Sequence, residues 1–108
     1  MHFVFEVRVK PGYTADQYAD AWVRASEIIQ QAPGARGTRL HRKIDSPDVM
    51  LAIASWESKA QRDAMEANEN ELVREIIAEQ AHFCDVRVIG EFEDAKWIVE
   101  SRHRTQRT

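Results

Sequence analysis

The chain has 108 residues, enough for one domain that buries roughly 60% of its unfolded surface. It is 44% apolar and 31% charged with a formal net charge of −3, which excludes a disordered chain and a general nucleic-acid binder. No apolar run approaches the ~20 residues of a membrane-spanning helix, and a single cysteine, Cys84, excludes an internal disulfide and a multi-cysteine metal site.

In chain order, residues 3–10 (FVFEVRVK) alternate. Phe3, Phe5, Val7 and Val9 share one face; Val4, Glu6, Arg8 and Lys10 share the other. That period of two predicts a half-buried strand, ended by Pro11-Gly12. Thr14 followed by Gln17 is a capping box that opens a helix. Tyr18, Trp22, Ala25 and Ile29, widened by Ala21, Ile28 and Ala32, form its apolar stripe. Pro33-Gly34 closes it.

Residues 35–44 read as a second strand, with Thr38, Leu40, Arg42 and Ile44 on one face. Asp45-Ser46-Pro47-Asp48 is the turn into a third strand, 49–56, apolar on both faces. Ser58 and Gln61 repeat the capping-box spacing, so Trp56 ends a strand and Ser58 starts a helix. Helix runs from about 59 to 81, with a break near 67–71, and Leu72, Val73, Ile76 and Ile77 give its second half an apolar face. A fourth strand spans 83–93. Cys84, Val86, Val88 and Phe92 are expected on one face, Asp85, Arg87 and Glu91 on the other, with Ile89 an apolar exception. Lys96–Ser101, holding Trp97 and Ile98, forms a short extra segment.

The order β-α-β-β-α-β predicts an α+β, ferredoxin-like fold: a four-stranded antiparallel sheet with the helices on one face. Val4, Val49 or Met50, Ile53 or Ala54, and Ile89 leave apolar atoms on the other face as well. An uncovered apolar sheet face predicts a partner, and the simplest is a second copy in a face-to-face homodimer. Residues 1–95 make the domain, and 96–108 a short basic C-terminal extension. That tail is read as solvated, with contact to nucleic acid or an acidic partner as the alternative.

FEVRVKPG (5–12), APGARGTRLHR (32–42) and ASWESKAQRDAM (54–65) stand in the order and spacing of a known family. Through them the chain resembles the antibiotic biosynthesis monooxygenase (ABM) domain, a branch of the dimeric α/β-barrel superfamily. The resemblance implies a cofactor-independent oxygenase, without metal or flavin, whose small electron-rich aromatic substrate supplies the electrons. It implies a dimer and a pocket between sheet and helices. The alternative is a homodimer of the same fold that binds a small ligand without reaction, or acts in stress. The haem-degrading branch carries an asparagine, a tryptophan and a ligating histidine where this chain has Val7, Met65 and Glu75, so haem cleavage is not expected.

Within that frame the candidates are few. His41 is a proton acceptor by its ordinary pKa, or else a solvent or dimer-seam residue beside Arg39 and Lys43. Trp56 stacks on a substrate ring, or is a core tryptophan fixing the strand-to-helix junction. Phe5, Val7, Tyr18, Trp22, Met65 and Asn68 line the pocket or fill the core. His82, before the last strand, is a weaker candidate, and Cys84 reads as a small buried apolar residue. Glu69, Glu71, Glu75 and Glu79 read as a solvated helix face and not as metal ligands. No membrane, no metal and a cytoplasmic location are expected.

Overall fold

The computed structural model describes residues 1–103. Strand β1 (His2–Val9) leads into helix α1 (Ala15–Ile29), then β2 (Ala35–Lys43), β3 (Ser46–Trp56), α2 (Lys59–Ala67), α3 (Glu71–Gln80) and β4 (Cys84–Phe92). The strands form one antiparallel sheet in the order β2-β3-β1-β4. This is the expected βαββαβ arrangement. The described residues at the basic C-terminus lie outside regular structure, and Arg104–Thr108 fall outside the described residues.

The alternation in β1 decides how the sheet is used. Val7 and Val9 are buried and pack with Tyr18 of α1, Met50 of β3 and Cys84 of β4. Their cross-strand partners, Met50 and Val86 for Val7 and Cys84 for Val9, point to the same side. A second cluster joins α1 to α3 through Ala21, Ala25, Val73 and Ile76. Among the described residues, no helix covers the opposite face, where Val4, Leu51 and Ile53 are half-exposed.

Local signals explain most boundaries. At the start of α1, Thr14 Oγ1 accepts from Gln17 N at 3.2 Å and Thr14 N donates to Gln17 Oε1 at 2.8 Å, the full reciprocal box. At α2 the box is altered: Ser58 Oγ accepts from Gln61 N, but the hydroxyl donates to Gln61 Oε1 at 3.0 Å, and Glu57 N goes to Gly34 O. Gly34 sits at φ +87, and a Cβ there would fall 2.5 Å from the Gln61 side chain. Only glycine suits that position on both counts. The break in the long helical stretch lies at residues 68–70, where Asn70 Oδ1 accepts from Leu72 N at 2.7 Å and restarts the helix as α3.

Three expectations are corrected. The hairpin turn is Ile44-Asp45, not residues 45–48, with Asp45 at φ 68, a conformation a short polar side chain tolerates. Ile44 is therefore on no strand face and is 87% exposed; the ladder jumps from Lys43–Ser46 to Arg42–Met50, so 47–49 bulge away from β2. In α3, Val73 and Ile76 are buried but Leu72 and Ile77 are exposed. In β4, Phe5 pairs with Val88 and Val4 with Gly90, leaving Ile89 as an extra residue. Gly90, at φ +153, absorbs that bulge. Beyond it the faces exchange: Glu91 joins the helix side opposite Phe3, and Phe92 joins the helix-free side opposite His2. Val86 and Val88 keep the expected side, yet both are more than half exposed because the helices stop short of this edge.

Candidate functional site

A groove of about 470 Å³ lies between the C-terminal end of α1 and the α2–α3 junction. Ile28, Ile29, Ala32 and Pro33 form one wall. Ala64, Met65 and Val73 form the other, and Gln31, Gln61, Asn68, Glu69 and Asn70 supply polar atoms. The sequence produces this shape directly. Helix α1 gives way after Ile29 to the turns of residues 30–34, which leaves Ala32 past the helix and not in its stripe, and the Asn-Glu-Asn link bends the second helical stretch away from it.

Two of the expected lining residues, Met65 and Asn68, are in the groove. The others sit elsewhere. Val7 and Tyr18 are in the closed core at 0% and 1% exposure, while Phe5 and Trp22 are half-buried against that core. Trp56 is 1% exposed, its backbone N donates to Met1 O, and it lines neither hollow described here. His41 lies in a second hollow of about 280 Å³ with Glu6, Arg42, Lys43, Val49, Met50 and Leu51. Pairing of His41 with Leu51 puts its side chain on the helix-free side of the sheet. His41 and Trp56 are thus on opposite sides and do not form one site.

Sequence reasoning missed Glu69. It reads as one of four acids on a solvated helix face, yet it falls in the three-residue link, half-buried, as the one ionisable side chain lining the groove. The two asparagines flanking it are what mark the break. One polar atom of each is committed to a helix end: Asn68 Nδ2 donates to Ala64 O at 2.8 Å, and Asn70 Oδ1 caps α3. The glutamines are tied in the same way, Gln31 Nε2 donating to Glu27 O at 3.4 Å and Gln61 Oε1 accepting from Ser58 Oγ at 3.0 Å, so Glu69 is the groove's ionisable chemistry.

The groove's α2 wall is held by its ends and by charge. Lys59 Nζ lies 3.0 Å from Asp63 and 3.2 Å from Glu91, which the β4 bulge turned to this side. The hydrogen bond to Asp63, then that to Glu91, raises the Lys59 pKa. Arg62 stands 4.0 Å above the Phe3 ring and 2.8 Å from Glu66. In the core, burial and then the neighbouring Cys84 push the Tyr18 phenol upward, and burial, then Asp85, does the same to the Cys84 thiol. Cys84 Sγ donates to Gln80 O at 3.1 Å. Both groups stay neutral near pH 7. Among the described residues, no three His, Cys, Asp or Glu side chains are grouped to hold a metal ion, and no helix is long and apolar enough to cross a membrane.

A family model described as antibiotic biosynthesis monooxygenase matches residues 1–70, a span that includes all the groove residues but Val73. No curated protein matches the sequence significantly. Among solved structures, the chain is similar to SnoaB, a cofactor-independent oxygenase from Streptomyces nogalater, with a TM-score of 0.68 and 13% identity over 89% of this chain and 96% of that one. A conserved protein of unknown function from Bacteroides thetaiotaomicron gives a TM-score of 0.68 and 11% identity over 81% and 89%. A conserved protein from Methanosarcina mazei gives 0.65 and 12% over 81% and 87%. At such identities the likeness speaks to the fold alone.

Proposed function

The chain belongs to the antibiotic biosynthesis monooxygenase family, and from that premise we propose that it is a cofactor-independent monooxygenase of a small electron-rich aromatic metabolite. The observation that carries this reading is the family match across the groove-forming residues, with an apolar trough and one carboxylate in the matched span. SnoaB, a cofactor-independent oxygenase by its description, supports it at the level of the fold.

The chemistry suits a substrate such as an anthrone, whose ring CH₂ becomes a carbonyl. Glu69 takes a proton from that carbon. The resulting carbanion gives one electron to dioxygen, and the radical pair combines to form a C–O bond. The peroxide is protonated, its O–O bond breaks, the second C–H proton leaves, and one water departs. CH₂ plus O₂ thus yields C=O plus H₂O, with no outside reductant. The apolar walls flank the anion, and the side-chain amides of Gln61 and Asn70, which line the groove, can donate to its oxygen.

In this reading the protein is a homodimer packed through its helix-free sheet face, residues 1–95 are the domain, and a reducing cytoplasm suits its single buried thiol. The competing reading is a dimer that binds an aromatic ligand without reacting. It is favoured by the commitment of Asn68 and Asn70 to helix ends.

Dioxygen uptake by metal-free protein, against hydroquinones, anthrones and naphthols, separates the two. Uptake above the uncatalysed rate is expected, and Glu69→Gln should lower it by roughly 10²-fold or more. Loss on His41→Asn instead would move the reaction to the hollow beside β2. Ring binding without uptake would establish the non-catalytic reading.

A further inference from the structure

We propose that Ser55, His2 and Asp94 form a hydrolytic site separate from the groove, at which Ser55 is the nucleophile that cleaves a short-chain carboxylic ester. The site lies at one end of the sheet, on the helix-free side, and does not depend on the oxygenase reading.

The three residues come from three strand ends. His2 opens β1, Ser55 is the last residue but one of β3, and Asp94 follows the end of β4 by two residues. Register brings them together: His2 is the cross-strand partner of Ser55 on one side and of Phe92 on the other. Ser55 Oγ is 2.9 Å from His2 Nδ1, and His2 Nε2 is 2.9 Å from Asp94 Oδ1. A hydroxyl, an imidazole and a carboxylate linked in that order at hydrogen-bond distance are the geometry of an activated serine, which is recognised by roles and not by sequence order.

The protonation pattern follows from the carboxylate. The Met1 amino group donates to Asp94 Oδ1 at 2.9 Å. That hydrogen bond, then the charge of the amino group, holds the Asp94 carboxyl below its ordinary range, and the charges of His2 and Arg36 add to it. An ionised carboxylate only accepts, so in neutral His2 it is Nε2 that carries the hydrogen. Nδ1 is left with its lone pair, and the Ser55 hydroxyl donates to it. The two ring nitrogens thus exchange the roles they have in the serine-protease triad.

The surroundings leave room for a substrate. Trp56 pairs with Ala35 and Ala54 with Thr38, so Arg36 and Gly37 both lie opposite Ser55 in a bulge of β2. Gly37 has nothing within 4 Å of where a Cβ would stand, so that flank of Ser55 is open. One row further along the same face, Ile53, Val4 and Gly90 stand side by side. Ile53 and Val4 are half-buried and Gly90 has no side chain, which makes an apolar shelf two residues, about 6.6 Å, from Ser55. That distance suits a short acyl chain. Arg36, whose charge acts on Asp94, is the donor available to the oxyanion.

The reaction balances without an outside reagent. Ser55 Oγ attacks the ester carbonyl carbon as its proton passes to His2 Nδ1. The carbon–oxygen bond to the alcohol breaks, the alcohol leaves with that proton, and the acyl group stays on Ser55. Water then attacks the acyl carbon, giving a proton to Nδ1. The acid departs as that proton returns to Ser55 Oγ. Ester plus water becomes acid plus alcohol, and no electron changes hands. Asp94 is a positioning residue, acting through His2.

The test uses the full chain, with 4-nitrophenyl acetate as substrate and diisopropyl fluorophosphate as covalent probe. Hydrolysis above the spontaneous rate is expected, with the probe's phosphoryl group found on Ser55 by peptide mass. Ser55→Ala and His2→Ala should each lower kcat by about 10²-fold or more with unchanged circular dichroism. His2→Ala should also abolish labelling of the intact Ser55. Asp94→Asn, at an exposed position, should lower kcat with KM unmoved, and Asp94→Glu should recover part of the loss. Hydrolysis that survives Ser55→Ala overturns the proposal. So does a wild-type chain that takes up no label at Ser55, a result that depends on no variant folding; the three residues would then only fasten the strand ends together.

Discussion

The two walls of the groove are built differently. Helix α1 has a full capping box and buries Tyr18, Ala21 and Ala25 against the sheet and α3. Helix α2 buries no residue at all. It is fixed by a cap at Ser58, by Gln61 lying against Gly34, and by the surface charges around Lys59 and Arg62. One wall is part of the core and shares its stability. The other is fastened at points, by contacts that individually contribute little in water. A site so built has a fixed reference surface and a wall that opens at low cost, which suits the entry of a planar substrate.

That contrast can be broken from the α1 side with the largest effect. Tyr18→Ala empties a fully buried ring position, and should lower the unfolding free energy by about 3–5 kcal/mol in denaturant titration. Gly34→Ala strikes the seam between the walls. The added methyl meets both a positive φ and the Gln61 side chain, so a cost of about 1–3 kcal/mol is expected, with weakened ligand binding in the groove. The smallest effect is the most informative. Lys59→Met should leave the thermal midpoint unmoved and accelerate amide exchange within 59–67 alone. Faster exchange spread through α1 as well would show that the two walls open together.

Much of the fold was legible because short-range chemistry dictates it. The period of two in 3–9 and the Thr14–Gln17 box each act within a few residues and have their expected consequence in the structure, while α1 stops at Ile29, about a turn ahead of Pro33-Gly34. The features that were not legible depend on partners distant in sequence. Nothing near Ile89 marks it as the extra residue of β4; the bulge exists only in register with β1. Glu69 looks like its neighbours Glu71, Glu75 and Glu79 until the α2–α3 bend puts it beside α1. The Trp-Glu-Ser junction carried the family resemblance, and its tryptophan proved to be core. Residue type alone does not say whether an aromatic ring ends up against protein or against ligand.

The extra residue in β4 also sets a reading frame. Upstream of it the strand is spelled in one phase and downstream in the other, so deleting Ile89 would erase the bulge and leave Glu91 and Phe92 on their present faces by simple alternation. Straightening the strand with Ile89 retained would instead part Glu91 from Lys59 and turn the Phe92 ring under the helices. The irregularity at the rim of the sheet therefore governs both how α2 is tied down and which surface the departing chain presents.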